Sequence, residues 1–204
     1  MKRTAIIPAA ALVALTATLT LAGCSEDGDA SSAQGGAAAE GAASTAATAG
    51  PAPLESVRNF QVVDDRLASA GQIAYDQIPE IRERGYEVVI NLAVADEERN
   101  GREGFHVAEE GLAYVHIPVD WEQPRVSDVR MFFDVMEANQ DRNVFVHCFA
   151  NMRASAFVYM YRSLVEGVPD DEARATMNAV WDPAEQQQWA DLIEQVKAEY
   201  GAGR

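Results

Sequence analysis

The stretch Val144-Phe145-Val146-His147-Cys148-Phe149-Ala150-Asn151-Met152-Arg153-Ala154-Ser155 decides the fold and points to the chemistry. A short apolar run ending at Cys148 is suited to a buried strand. Residues 153–165 carry apolar side chains on several faces and predict a central, well-buried helix. Only a short loop separates the two. A cysteine in that place has its sulfur at the positive end of the helix dipole, and the backbone N–H groups of Phe149, Ala150, Asn151, Met152 and Arg153 can turn toward one point. Both effects favour a thiolate and a tetrahedral anion above it. Arg153 adds a forked cation that matches phosphate or sulfate oxygens, and Asn151 tolerates a left-handed turn. The plainer alternative makes Cys148 a small buried hydrophobe and His147 a strand residue satisfied by a neighbour. The order strand, cysteine, loop, arginine, helix favours the anion-binding loop.

Outward from this loop, strand and helix patterns alternate. Residues 60–63 read as a short strand leading into a turn-like segment, Ala68-Ser69-Ala70-Gly71-Gln72. Asp76 is expected to cap a helix that has Pro79 in its first turn and stops at Gly85. Residues 86–92 are a β-branched run suited to a buried strand. A helix over 103–110, closed by Gly111, and a strand over 112–119 follow. Ser127 is the expected cap of the next helix, where Val129, Phe132, Phe133 and Met136 form one apolar stripe. Two more helices are expected, one over 171–180 and one capped by Asp182 with Pro183 first and Glu185 third. This alternation predicts an α/β fold with a small, mostly parallel central sheet flanked by helices. Ligands of such sheets sit beyond the carboxyl ends of the strands, where Cys148 lies.

The N-terminal quarter has a different character. Lys2 and Arg3 precede an almost uncharged stretch, residues 4–22, that runs into Leu21-Ala22-Gly23-Cys24. Positive start, apolar core and small residues before a cut are the layout of a signal peptide. The alternative is one short transmembrane helix. Residues 25–52 are mostly Ala, Gly, Ser and Thr and read as a flexible tether, which as a random coil spans roughly 30 Å. The expected organisation is a signal over 1–23, Cys24 and tether over 24–53, and one domain over 54–204. The 32 acidic residues outnumber 16 basic ones, and without Lys2 and Arg3 the count is 32 against 14, a formal charge of −18. Such a body is unsuited to nucleic acid or anionic lipid.

Several segments together resemble the cysteine-dependent phosphatases of the tyrosine and dual-specificity class. They are most similar to the small bacterial phosphatase-like family that also resembles a domain fused to β-lactamase-like hydrolases. The resemblance rests on Leu67-Ala68-Ser69-Ala70-Gly71-Gln72, Val89-Ile90-Asn91-Leu92, Val115-His116-Ile117-Pro118-Val119 and the His147-Cys148 loop. It implies a phosphatase-like fold with the Cys loop between the last central strand and a buried helix. It also implies two-step hydrolysis of a phosphate monoester through a phosphocysteine on Cys148. Its acid is expected in Val119-Asp120-Trp121-Glu122-Gln123-Pro124, with Asp120 the first choice and Glu122 the second. In the same pattern His147 tunes the thiolate and orients the loop from behind, and Ser155 hydrogen-bonds the Cys148 sulfur and assists breakdown of the intermediate, or else bonds its own backbone. The end of the first segment resembles the lipobox of bacterial lipoproteins, which implies lipid on Cys24 and an exported chain anchored at the cell envelope. The partner implied is a phosphorylated protein or a small phosphate ester. No cofactor is expected, and His106 and His116 read as structural or surface residues without a metal.

One departure bears on the chemistry. The general phosphatase loop has five residues between Cys and Arg with a hydroxyl residue directly after; here there are four, Phe149 to Met152, followed by Arg153 and Ala154. Ser155 keeps the hydroxyl's distance from the cysteine, so the arginine has moved back by one position in a loop of ordinary length. About 100° of rotation at a helix start is expected to tilt the guanidinium from the usual bidentate pose. Two other readings follow: a rhodanese-like sulfurtransferase, whose loop is often one residue shorter, and a pseudophosphatase that binds a phosphorylated or sulfated ligand without turnover.

Overall fold

A computed structural model describes residues 52–201. The signal, Cys24 and the tether up to residue 51 lie outside the described residues. Five strands form one sheet in the order β1-β2-β5-β3-β4, with β1 at Gln61–Val62, β2 at Leu67–Ala70, β3 at Val88–Asn91, β4 at Ala113–His116 and β5 at Val144–His147. Only β1 runs antiparallel to its neighbour β2; the rest of the sheet is parallel, as the alternating pattern predicts.

Six α-helices cover it: α1 at Ile78–Glu83, α2 at Glu103–Glu109, α3 at Val126–Ala138, α4 at Met152–Leu164, α5 at Asp170–Asn178 and α6 at Gln187–Gly201. The period of two along each strand sorts side chains between two cores. Val88, Ile90, Val144 and Val146 face α3, α4, α5 and α6. Val89 and Phe145 face α1 and α2, with Leu54 and Val57 from the start of the domain. The α3 stripe Val129, Phe132, Phe133 and Met136 is buried as its spacing predicts, and α4 is buried from Arg153 through Arg162. Among the described residues no helix is long and apolar enough to cross a membrane.

Four local expectations are corrected. Residues 67–70 are a fully buried strand and not a turn; β2 pairs with β1 on one side and β5 on the other, and this pairing overrides the weak strand propensity of its small residues. Asp76 sits inside a 3-10 turn, Tyr75–Gln77, and the capping is done by the Gln77 side chain, whose Oε1 accepts the Ala74 N–H at 2.9 Å. Ser127 lies inside α3, which begins one residue earlier after Arg125. Asp182 does cap with its side chain, accepting from Ala184 N–H at 2.9 Å, but the element it caps is the 3-10 turn Pro183–Glu185; α6 starts two residues later.

Candidate active site

Cys148 follows β5 directly and is fully buried, its N–H donating to the Ala70 carbonyl at 3.2 Å as the last rung toward β2. Asn151 then takes a left-handed conformation, φ +64°, and α4 begins at Met152. The loop's carbonyls are all engaged. Phe149 O accepts from Gln72 N–H at 3.3 Å and Asn151 O from Ser155 N–H at 2.8 Å. Ala150 O accepts from Asn59 Nδ2 at 2.9 Å, and Met152 O from Trp181 Nε1 at 2.9 Å. Among the described residues no protein group accepts from the N–H groups of Phe149 or Ala150. The N–H groups opening α4 have no intrahelical acceptor either. The loop is thus polarised, with its oxygens bound to the scaffold and its donors unspent, which is the electrostatic arrangement for an anion.

The segment that ends β2 clasps this loop from outside. Gly71 forms a bridge with Ala150, and a Cβ there would stand 2.7 Å from Arg58 O and 3.3 Å from Phe149 O, so no larger residue fits. Asn151 Nδ2 reaches Asn59 O at 2.6 Å and Ser69 Oγ at 3.0 Å. The two segments most distinctive in the sequence therefore belong together because they touch.

His147 points away from the cysteine's core toward α2. Its Nε2 lies 2.8 Å from Glu103 Oε1, and both side chains are wholly buried. Glu103 also accepts from Gln72 Nε2 at 2.8 Å and Asn91 Nδ2 at 3.0 Å. Gly104 lets the Tyr114 ring approach, a Cβ there standing 2.8 Å from Tyr114 Cδ1. Burial pushes the Glu103 carboxyl up, but the attraction of His147 and the hydrogen bonds from His147, Gln72 and Tyr114 outweigh it, leaving the pKa below its ordinary value. Burial, followed by the Glu103 charge, pushes the Tyr114 phenol well up.

Arg153 is buried on α4, and its Nε donates to the carbonyl of Val119 at 2.9 Å. Its guanidinium lies 5.3 Å from the centre of the Trp121 ring. Its terminal nitrogens have no protein hydrogen-bond partner among the described residues. Asp120 sits between those two contacts, exposed, with Oδ1 accepting the N–H groups of Glu122 at 2.8 Å and Gln123 at 2.9 Å. Glu122 is also exposed. The structure therefore ties Arg153, at the start of α4 just after the Cys148 loop, to the backbone beside Asp120. It does not join Ser155 to the sulfur: Ser155 Oγ donates back to Met152 O at 3.2 Å. His106 pairs with Glu109 at 3.0 Å and His116 Nε2 with the Ala93 carbonyl at 2.7 Å.

The sequence reading missed Glu103, Asn59 and the tryptophans. Gln72 and Asn91 stood inside the segments quoted for the resemblance, but their common partner Glu103 had no signal beyond its place at a helix start. The tryptophans offered only their size and polar N–H.

The fold is shared with known proteins. Solved structures of similar shape include the DUF442 protein from Shewanella putrefaciens CN-32, which is 36% identical with a TM-score of 0.66 over 72% of this chain and 94% of that one. Pseudomonas aeruginosa TpbA in complex with phosphotyrosine has a TM-score of 0.55 over 70% of this chain and 90% of that one; at 13% identity the likeness is one of fold. The β-lactamase hydrolase-like proteins of Xylella fastidiosa are 31% identical over 122 residues, 57% of this chain, which spans only 28% of their length. Residues 55–194 match the family described as DSP-PTPase phosphatase fused to NAD+ kinase, and the chain belongs to that family.

Proposed function

We propose that the domain hydrolyses phosphate monoesters through a phosphocysteine on Cys148. The observation that carries this reading is the polarised loop, four consecutive carbonyls bound behind Cys148 and Arg153 tied to the residue next to Asp120. In the first step the Cys148 thiolate forms the S–P bond as the ester P–O bond breaks, and the leaving oxygen takes its proton from Asp120. In the second a water attacks phosphorus, its proton goes to the Asp120 carboxylate, and the S–P bond returns its electron pair to sulfur. The free N–H groups and the terminal nitrogens of Arg153 hold the phosphoryl oxygens.

The test is phosphate release from p-nitrophenyl phosphate by purified domain, lost in Cys148→Ser and Arg153→Ala. Asp120→Asn is expected to lose about 100-fold in kcat while still binding orthovanadate. No release by the wild type refutes the reading; binding of orthovanadate without release then identifies a pseudophosphatase. The phosphotyrosine bound by TpbA supports phosphotyrosine esters as the first class to assay.

A second reading is favoured by one observation. Arg153 Nε is already committed to Val119, so the guanidinium lacks the full fork of a phosphate clamp. A sulfurtransferase needs less of it: the Cys148 thiolate takes the sulfane sulfur of thiosulfate, releasing sulfite, and passes it to cyanide as thiocyanate. Thiocyanate formation with every phosphate ester inert favours this reading over the first.

Cys24 is further proposed as the lipidated residue of an exported, envelope-anchored chain. Incorporation of labelled palmitate by the full chain, abolished in Cys24→Ala, is the expected result.

A further inference from the structure

Asp120 is exposed, yet the backbone on both sides of it is held. On one side the Val119 carbonyl accepts from Arg153 Nε at 2.9 Å. On the other the Trp121 carbonyl accepts from Trp189 Nε1 at 3.0 Å and Gln188 Nε2 at 3.4 Å. Trp189 belongs to α6, is wholly buried, and lies 68 residues along the chain from its acceptor. Its ring centre is 5.1 Å from that of Trp121, and Trp181 is 5.3 Å from Trp121. Trp181 in turn donates to the Met152 carbonyl of the Cys loop at 2.9 Å. The three tryptophans of the chain thus form one cluster joining α6 to both catalytic loops.

We propose that Trp189 is a positioning residue, whose indole N–H holds the Trp121 carbonyl and so sets Asp120 beside the Cys148 loop, and the Trp121 ring beside Arg153, before substrate arrives. For the role of Asp120 this rests on the phosphatase reading. An indole needs no particular orientation to fill a core. Here its one polar atom, which can only donate, is spent on the carbonyl of the residue after Asp120. Loop geometry of this kind acts on rate, because an acid displaced by even 1 Å loses much of its advantage.

Trp189→Phe keeps an apolar ring and deletes the donor. A general acid matters most for a poor leaving group, so two esters separate positioning from packing. The variant is expected to lose roughly 10- to 100-fold in kcat on phenyl phosphate and at most about threefold on 2,4-dinitrophenyl phosphate. Equal losses on the two esters overturn the proposal.

A readout independent of turnover covers an inactive wild type, which refutes the phosphatase reading alone, and also covers a variant too unstable to assay. Full chain labelled with 5-fluorotryptophan is expected to give one sharp 19F line for Trp121, assigned by its loss in Trp121→Phe, already before addition of inorganic tungstate. A Trp121 line that is split or exchange-broadened until tungstate is added means that the loop is not preset, and the proposal fails.

Discussion

His147 and Cys148 are neighbours in the chain and look to opposite sides of the sheet. His147 ends in a polar network with the buried Glu103 and Asn91 and the half-buried Gln72, whereas Cys148 enters the larger apolar core beside α3 and α4. The two faces do different work for one loop. The polar face fixes where the strand ends, through charge that burial makes costly to leave unpaired. The apolar face seats Cys148 in the same core as Ala154 and Ala156 of α4. Strand alternation alone delivers this division, because a residue and its successor cannot share a face.

The polar face is expected to be the more fragile. Glu103→Leu removes one partner of a fully buried pair, leaves His147 Nε2 without its acceptor and takes one bond each from Gln72 and Asn91, so urea denaturation is expected to show a loss of about 3–5 kcal/mol. A loss below about 1 kcal/mol would mean that the network is dispensable and the comparison misplaced. Next in size is Asn151→Ala, which deletes the bonds to Asn59 and Ser69 and puts a Cβ-bearing residue without local hydrogen bonds at φ +64°. About 2–3 kcal/mol is expected, with Asn151→Gly recovering roughly 1 kcal/mol of it by relieving the backbone.

Acid sharpens the same contrast. Because the folded pKa of Glu103 lies below its unfolded value, its contribution is fully present above the ordinary glutamate pKa and is lost as pH falls through the folded one. The stability gap between wild type and Glu103→Gln, followed by urea midpoints, should hold near neutrality and shrink below about pH 4.3. The smallest effect belongs to Ser155→Ala, whose hydroxyl only returns to its own helix; about 0.5 kcal/mol or less is expected. A loss above 2 kcal/mol there would show that Ser155 bonds something else.

The parts legible in the sequence were those carried by local pattern. The strand-loop-helix order around Cys148, the α3 stripe and the alternation of strands and helices depend on residues a few positions apart, and these the structure reproduces. Residues 67–70 did not read as a strand because Ala68, Ser69 and Ala70 have nothing intrinsically β about them; β1 and β5 make them one. Glu103 and Trp189 were invisible for a related reason. Glu103 meets His147 across 44 residues of chain and Trp189 meets Trp121 across 68, and a glutamate at a helix start or a tryptophan in an amphipathic helix already has an ordinary explanation.

The four bound carbonyls behind Cys148 also say something about range. Peptide dipoles do not titrate, so the attraction of the loop is constant with pH, but it fades within a few ångströms, and beyond that an approaching anion meets a chain of net charge −16. If the loop takes a dianionic ester as proposed, that ester is repelled at long distance and gripped at short distance. Encounter, more than affinity, becomes the slow part of capture, and moderate salt, by screening the body while sparing the cradle, should quicken it.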